Sequence, residues 1–172
     1  MNTAADGLPF YARVIRDFPR GVHRFLDLLP HAAESPAMAR IASPAHSGEL
    51  LLADARVRIE PGRGFAWVDI DVPCIVLKEM YFRRGAALDL YLDLLHELTH
   101  LRQLLEGHDL WDERTAYVDR GTEIEGYAVA VEEGRRLGMT DRQVVEHLSN
   151  PWMSLAEVRR LLDNVHHFLG EP

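Results

Sequence analysis

The segment Leu94-Leu95-His96-Glu97-Leu98-Thr99-His100-Leu101 constrains this chain more than any other. At about 100° per residue, His96 and His100 fall one turn apart on a single helix face, the spacing at which two imidazoles reach one ion. Glu97 sits beside them, offset around the helix, where it can act on a water at that ion without being a ligand itself. Leu88, Leu90, Leu92, Leu94, Leu95, Leu98, Leu101, Leu104 and Leu105 occupy nearly every direction around this helix, so it must be buried. Its one polar stripe is Asp89, Asp93, His96, His100 and Gln103, with Glu97 at the margin. A polar stripe inside a core has to face a cleft, a partner group or a metal. Against the alternative of hydrogen-bonded core histidines, the spacing and its buried setting read as a zinc site.

The chain has 172 residues, near the usual size of one domain, so residues 1–172 are expected to form a single domain. Its 19 Lys+Arg against 27 Asp+Glu give a net charge of −8, which argues against a nucleic-acid partner and against an anionic membrane surface. No apolar run approaches the roughly 20 residues of a membrane span. Met1-Asn2-Thr3-Ala4-Ala5-Asp6-Gly7 lacks the basic and apolar regions of a secretory signal. The lone cysteine, Cys74, rules out an internal disulfide framework and fits a reducing compartment, so a cytoplasmic protein is expected.

In chain order, Pro9 followed by Phe10, Tyr11, Val14, Ile15 and Phe18 predicts a first helix ending at Pro19. Val22, Phe25, Leu26 and Leu29 predict a second, stopped by Pro30. A connection from His31 to Gly48 holds at most a short helix around Pro36 to Ile41. Then Ala55 to Glu60, Pro61-Gly62-Arg63-Gly64, and Phe65 to Asp71 read as a hairpin. Pro73 opens a third strand, Cys74-Ile75-Val76-Leu77, at an edge or strand-start position. An edge strand beside a catalytic cleft would offer an extended peptide a place to dock. Gly107 ends the histidine helix. Thr140-x-x-Gln143 and Ser154-x-x-Glu157 are capping boxes that start two terminal helices, joined by Asn150-Pro151-Trp152. The fold class is α+β, mainly helical, with a small three-stranded sheet before the histidine helix.

A catalytic zinc normally takes three protein ligands, so a third must come from elsewhere. The helical pattern Thr122-Glu123-Ile124-Glu125-Gly126-Tyr127-Ala128-Val129-Ala130-Val131 offers Glu125 first and Glu123 second, with Gly126, Ala128 and Ala130 small enough for close helix approach. Thr122-x-x-Glu125 also reads as a capping box, which would employ Glu125 structurally, and Glu123 could serve the helix dipole. His108, Asp109, Asp112 and Glu113 are weaker candidates, more typical of a solvated turn.

With His96-Glu97-Leu98-Thr99-His100 on one helix and a glutamate on a later one, residues 50 to 135 resemble the gluzincin branch of zinc metallopeptidases. Within it they are most similar to the compact bacterial zincin-like forms of the ImmA/IrrE group. Glu125-Gly126-Tyr127-Ala128 matches the Glu-x-x-Ala string of that group, which implies His96, His100 and Glu125 as the metal ligands. Thr99 stands where those helices usually carry glycine, and no Asx follows the glutamate. The resemblance implies a Zn2+-dependent peptidase acting on a protein or peptide substrate, with Glu97 as general base and Tyr117, Tyr127 or His108 as an oxyanion donor. Asp93 could orient a ligand imidazole. The competing classes are a deformylase-like hydrolase using Cys74 as third ligand, and a non-catalytic zincin-like binding module.

Overall fold

The computed structural model describes residues 7–171. Met1 to Asp6, where the sequence shows no secretory signal, lie outside the described residues. The elements run β1 (Gly21–Arg24), α1 (Phe25–Leu28), α2 (Met38–Ile41), α3 (Gly48–Asp54), β2 (Arg56–Glu60), β3 (Ala66–Asp69), β4 (Cys74–Lys78), α4 (Glu79–Arg84), α5 (Ala87–Leu105), α6 (Gly121–Arg136), α7 (Asp141–Leu148) and α8 (Leu155–Leu169), with single 3-10 turns at Phe10–Ala12, Ala32–Glu34 and Tyr117–Asp119. The class is α+β, but the sheet has four strands in the order β1-β2-β4-β3, not three.

Three sequence expectations change. The predicted first helix survives only as the turn Phe10–Ala12; beyond it the backbone is extended, and the Ile15 amide donates to the Leu28 carbonyl. The segment predicted as a second helix begins as β1, antiparallel to β2, and only Phe25–Leu28 is helical. The predicted hairpin of β2 with β3 does not form, because β4 lies between them, parallel to β2 and antiparallel to β3. The reason is visible in β4, whose residues Cys74 to Leu77 are all buried. A strand apolar on both faces belongs in the middle of a sheet. Pro73 sits just before β4 and deprives the ladder of nothing.

The edge beside the histidine helix is therefore β3. The Phe65 carbonyl accepts from the Lys78 amide, and the register pairs Trp67 with Val76. In an antiparallel ladder the hydrogen-bonded pairs alternate, so Ala66 and Val68 turn their backbone N–H and C=O groups away from β4, along the open edge.

α5 is buried along most of its length, and Val57, Ile59, Val68, Ile75 and Leu77 from the sheet share one core with its leucines. Alternation then puts Cys74 on the other sheet face, where its thiol faces Arg58. α6 joins two cores: Val129 and Ala130 pack with α5, whereas Tyr127, Ala128 and Val131 pack with α7 and α8. Both capping boxes form, Thr140 with Gln143 and Ser154 with Glu157. No helix among the described residues is long and apolar enough to cross a membrane.

At the end of α5 the His108 amide donates to the Gln103 carbonyl and the Gly107 amide to Leu104, closing the helix in a Schellman motif with Gly107 at φ 83°. A Cβ on Gly107 would meet nothing within 4 Å, so the cost of a side chain there is backbone strain alone. Gly107→Ala should lower stability by about 1–2 kcal/mol, read as a lower urea midpoint at unchanged slope.

Candidate metal centre

His96 and His100 project from one face of α5, 7% and 6% exposed, with their rings in edge contact at 4.4 Å. The third group that meets them is Glu123. Its Oε2 lies 3.5 Å from His96 Nε2 and 3.4 Å from His100 Nε2, and one donor atom from each of the three residues falls within 4.8 Å of the others. Buried His96, His100 and Glu123 can hold a metal ion.

Glu125, the first choice from the sequence, is elsewhere. Its carboxylate accepts from Arg102 at 2.6 Å and from Gln103 Nε2 at 2.6 Å. Positions 123 and 125 differ by about 200° around a helix, so only one of them can face α5 at this height. The capping box expected of Thr122 and Glu125 does not form either, since α6 begins two residues earlier than that cap would set, with Arg120 as N-cap and no side-chain cap bond. The stripe that faces α5 runs Glu123, Gly126, Ala130, Gly134, at helical spacings of three, four and four. A Cβ on Gly126 would sit 3.0 Å from His96 Cε1 and Nδ1, and one on Gly134 would sit 3.2 Å from Leu92 Cδ1. These small residues bring the two helices close enough for a carboxylate to reach both imidazoles.

Glu125 nonetheless bears on the site. Gln103 gives its amide N–H groups to Glu125 and to the Thr122 carbonyl at 3.2 Å, which leaves its Oε1 toward His100 Nδ1 at 2.8 Å. An amide oxygen only accepts, so His100 carries a proton on Nδ1, and Nε2 is the nitrogen that faces Glu123 and would bind an ion once deprotonated. Asp93 plays no such part for His96: it accepts from the Tyr81 hydroxyl and lies 3.7 Å from His147 Nε2. Thr99, at the position where similar helices carry glycine, turns its hydroxyl onto the Leu95 carbonyl at 2.9 Å and stays fully buried.

Several buried polar atoms at the centre have no hydrogen-bond partner: His96 Nδ1, Glu97 Oε2 and Glu123 Oε2. Burial works against charge on His100, but Glu123 beside it outweighs that and raises it to about 9. Burial likewise opposes charge on Glu123, yet His100 and His96 hold its carboxyl far below the usual carboxylate range. His96 is lowered by burial and by His100. Glu97 is pushed up to about 8 by burial. The centre thus sets a protonated His100 against an ionised Glu123.

Glu97 and His96 open onto a cleft walled by β3, the start of α6 and the Asn150–Trp152 turn. Tyr117 and Tyr127 line it, their hydroxyls 2.9 Å apart. Asn150 Nδ2 donates to Tyr127 Oη at 2.8 Å. The Tyr117 hydroxyl also interacts with Glu123, which ties this tyrosine pair to the buried carboxylate. Asn164 of α8 fixes this turn by donating to the Val118 carbonyl at 2.8 Å. His108 is 55% exposed beside Glu106 and does not line the cleft, Asp109 and Asp112 bond within their own loop, and Glu113 is exposed. Asp89 of the polar stripe and Trp152 of the joining turn line it, as do Trp111 and His147, to which the sequence reading gives no role.

No protein family, curated protein or solved structure was found to match the chain.

Two outcomes follow. Glu123→Ala should abolish tight metal binding, whereas Glu125→Ala should weaken it by about 10–100-fold through loss of the Gln103 anchor; equal losses in equilibrium dialysis would contradict the assignment. Because His100 must lose a proton to accept an ion, apparent affinity should climb with pH up to about 9. Calorimetry at pH 7 in buffers of different ionisation enthalpy should show about one proton released per ion.

Proposed function

We propose that the protein is a zinc-dependent peptidase that cleaves protein or peptide substrates, with His96, His100 and Glu123 as metal ligands and Glu97 as general base. The observation that carries this reading is Glu97: a carboxylate 7% exposed, one oxygen without a partner, beside three metal-competent donors and facing a cleft. A site that only held metal for stability would have no use for a buried, proton-hungry group next to it.

The donor set supports zinc. Two imidazoles and one carboxylate form a three-ligand set used by catalytic zinc, while magnesium and calcium prefer more oxygen ligands. For bonds of about 2.0–2.1 Å, tetrahedral ligand atoms lie roughly 3.3–3.4 Å apart. The separations of 3.5 and 3.4 Å from Glu123 Oε2 to the two Nε2 atoms are close to that spacing. Zinc held there would supply Lewis acidity, polarising a carbonyl and bringing the pKa of a water toward about 7. Cys74, on the far face of the sheet and bonded by Arg58, is not among the grouped donors, which leaves a deformylase-like thiolate site without support.

Glu97 would take the proton from the attacking water as its oxygen bonds to the scissile carbon. It would then return the proton to the amide nitrogen as the C–N bond breaks, leaving a carboxylate and an amine. Burial gives Glu97 the high proton affinity this double duty requires. Tyr117, which lines the cleft, would donate its hydroxyl hydrogen to the developing oxyanion. The outward backbone groups of Ala66 and Val68 would pair with an extended substrate and hold the scissile bond over Glu97.

Glu97→Gln should keep metal and fold and lose hydrolysis by about 10²–10⁴-fold, measured as cleavage of a peptide mixture by mass spectrometry. Undiminished turnover in this variant would rule the mechanism out.

A further inference from the structure

We propose that the cleft selects an extended peptide carrying a bulky apolar side chain on one side of the cleaved bond and a lysine or arginine on the other. This rests on the peptidase reading above and adds to it the chemistry of the substrate.

The cleft has two lobes that share Ala66, His96, Glu97, Tyr117 and Trp152. One lobe is walled by Val68, Leu110, Trp111 and Trp152. Its indoles are 53% and 64% exposed, a large apolar area for a chain to leave in water beside a polar centre. Trp152 is steadied by an edge contact with Tyr117 at 6.4 Å. Two aromatic walls next to a buried base suit an aromatic or branched aliphatic side chain.

The other lobe is acidic. Asp89, Asp93 and Glu146 line it, with His147 as its basic group. His147 lies 3.3 Å from Asp89 and 3.7 Å from Asp93, and Arg142 bonds Glu146 at 2.8 Å from the solvent side. Three acidic side chains against one imidazole give the lobe a predominantly acidic lining. The His147 side chain, 5% exposed, lies between Asp89 and Asp93 at the wall of this lobe, and its Nε2 makes no full hydrogen bond, so the two carboxylates are not saturated by it.

The open edge of β3 connects the lobes. Ala66 borders both and Val68 borders the apolar one, so a peptide paired to their backbone would run from one lobe to the other past Glu97. The chain's net charge of −8 also favours the approach of a cationic substrate.

The test uses the zinc-loaded full chain and synthetic octapeptides carrying phenylalanine or alanine on one side of a central bond and lysine or glutamate on the other. Cleavage is mapped by mass spectrometry, and binding to Glu97→Gln is followed by tryptophan fluorescence. The phenylalanine–lysine peptides should be bound and cut best. Trp111→Ala should lower the phenylalanine-over-alanine preference by about tenfold or more. Glu146→Lys should shift preference from lysine toward glutamate. Both side chains are exposed, so the fold should survive these changes. Cleavage indifferent to either side chain would overturn this proposal and leave the peptidase reading standing; zinc-loaded protein that neither binds nor cuts any peptide would overturn both.

Discussion

The close approach of α6 to α5 is the constraint on which the site depends. Glu123 can lie 3.4–3.5 Å from two imidazoles of a neighbouring helix only because Gly126 and Gly134 present no side chain to His96 and Leu92. Helices normally pack 8–10 Å apart, and a glutamate next to a larger residue would be held back from the ring nitrogens. The same approach carries Tyr127 against His96, at 4.4 Å between rings, and thereby links the centre to Tyr117 and Asn150. The terminal helices act at a distance, since α7 and α8 pack on the other face of α6 and pin the Tyr117 turn.

Burying this much charge has to be balanced within the site. Glu97, His96, His100 and Glu123 are each less than a tenth exposed. A His100–Glu123 pair with an unpartnered carboxylate oxygen is a costly thing to keep in a core for stability alone, because the interior penalises ions that lack full hydrogen bonding. Around it most polar groups find partners: Arg102 binds both Glu106 and Glu125 through its terminal nitrogens, Gln103 uses both ends of its amide, and Thr99 bonds Leu95. Glu97 Oε2 and Glu123 Oε2 are left without hydrogen-bond partners beside the two imidazoles, where the three grouped donors could hold a metal ion.

Much of this was legible in the sequence. The histidine helix, its burial, its polar stripe and its glycine stop follow from a 3.6-residue period and from the chemistry of Gly107. Both terminal capping boxes follow from local side-chain bonding. The sequence offers Glu125 first and Glu123 second as the partner of the two imidazoles, and the structure groups Glu123 with them, for which a local signal exists. Gly126, Ala130 and Gly134 mark the face of α6 that touches α5, and Glu123 continues that stripe while Glu125 does not. The resemblance to a Glu-x-x-Ala string outweighed this, and the expected cap at Thr122 concealed it. Strand order was less accessible. Pairing is long-range, and only the uninterrupted apolar run of β4 hints that it is central and that β3 is the edge. The acidic and indole-lined lobes draw on residues far apart in the chain, Phe65, Asp89, Trp111 and Trp152 among them, and no local spacing joins them.

The central claim is that His96, His100 and Glu123 hold one catalytic zinc ion. The direct measurement is zinc stoichiometry by elemental analysis of purified chain, joined to zinc-edge X-ray absorption on the same sample. The account predicts about one zinc per chain, with nitrogen and oxygen scatterers at roughly 2.0–2.1 Å and none from sulfur. Failure to take up zinc, or a sulfur shell at about 2.3 Å pointing to Cys74, would contradict it.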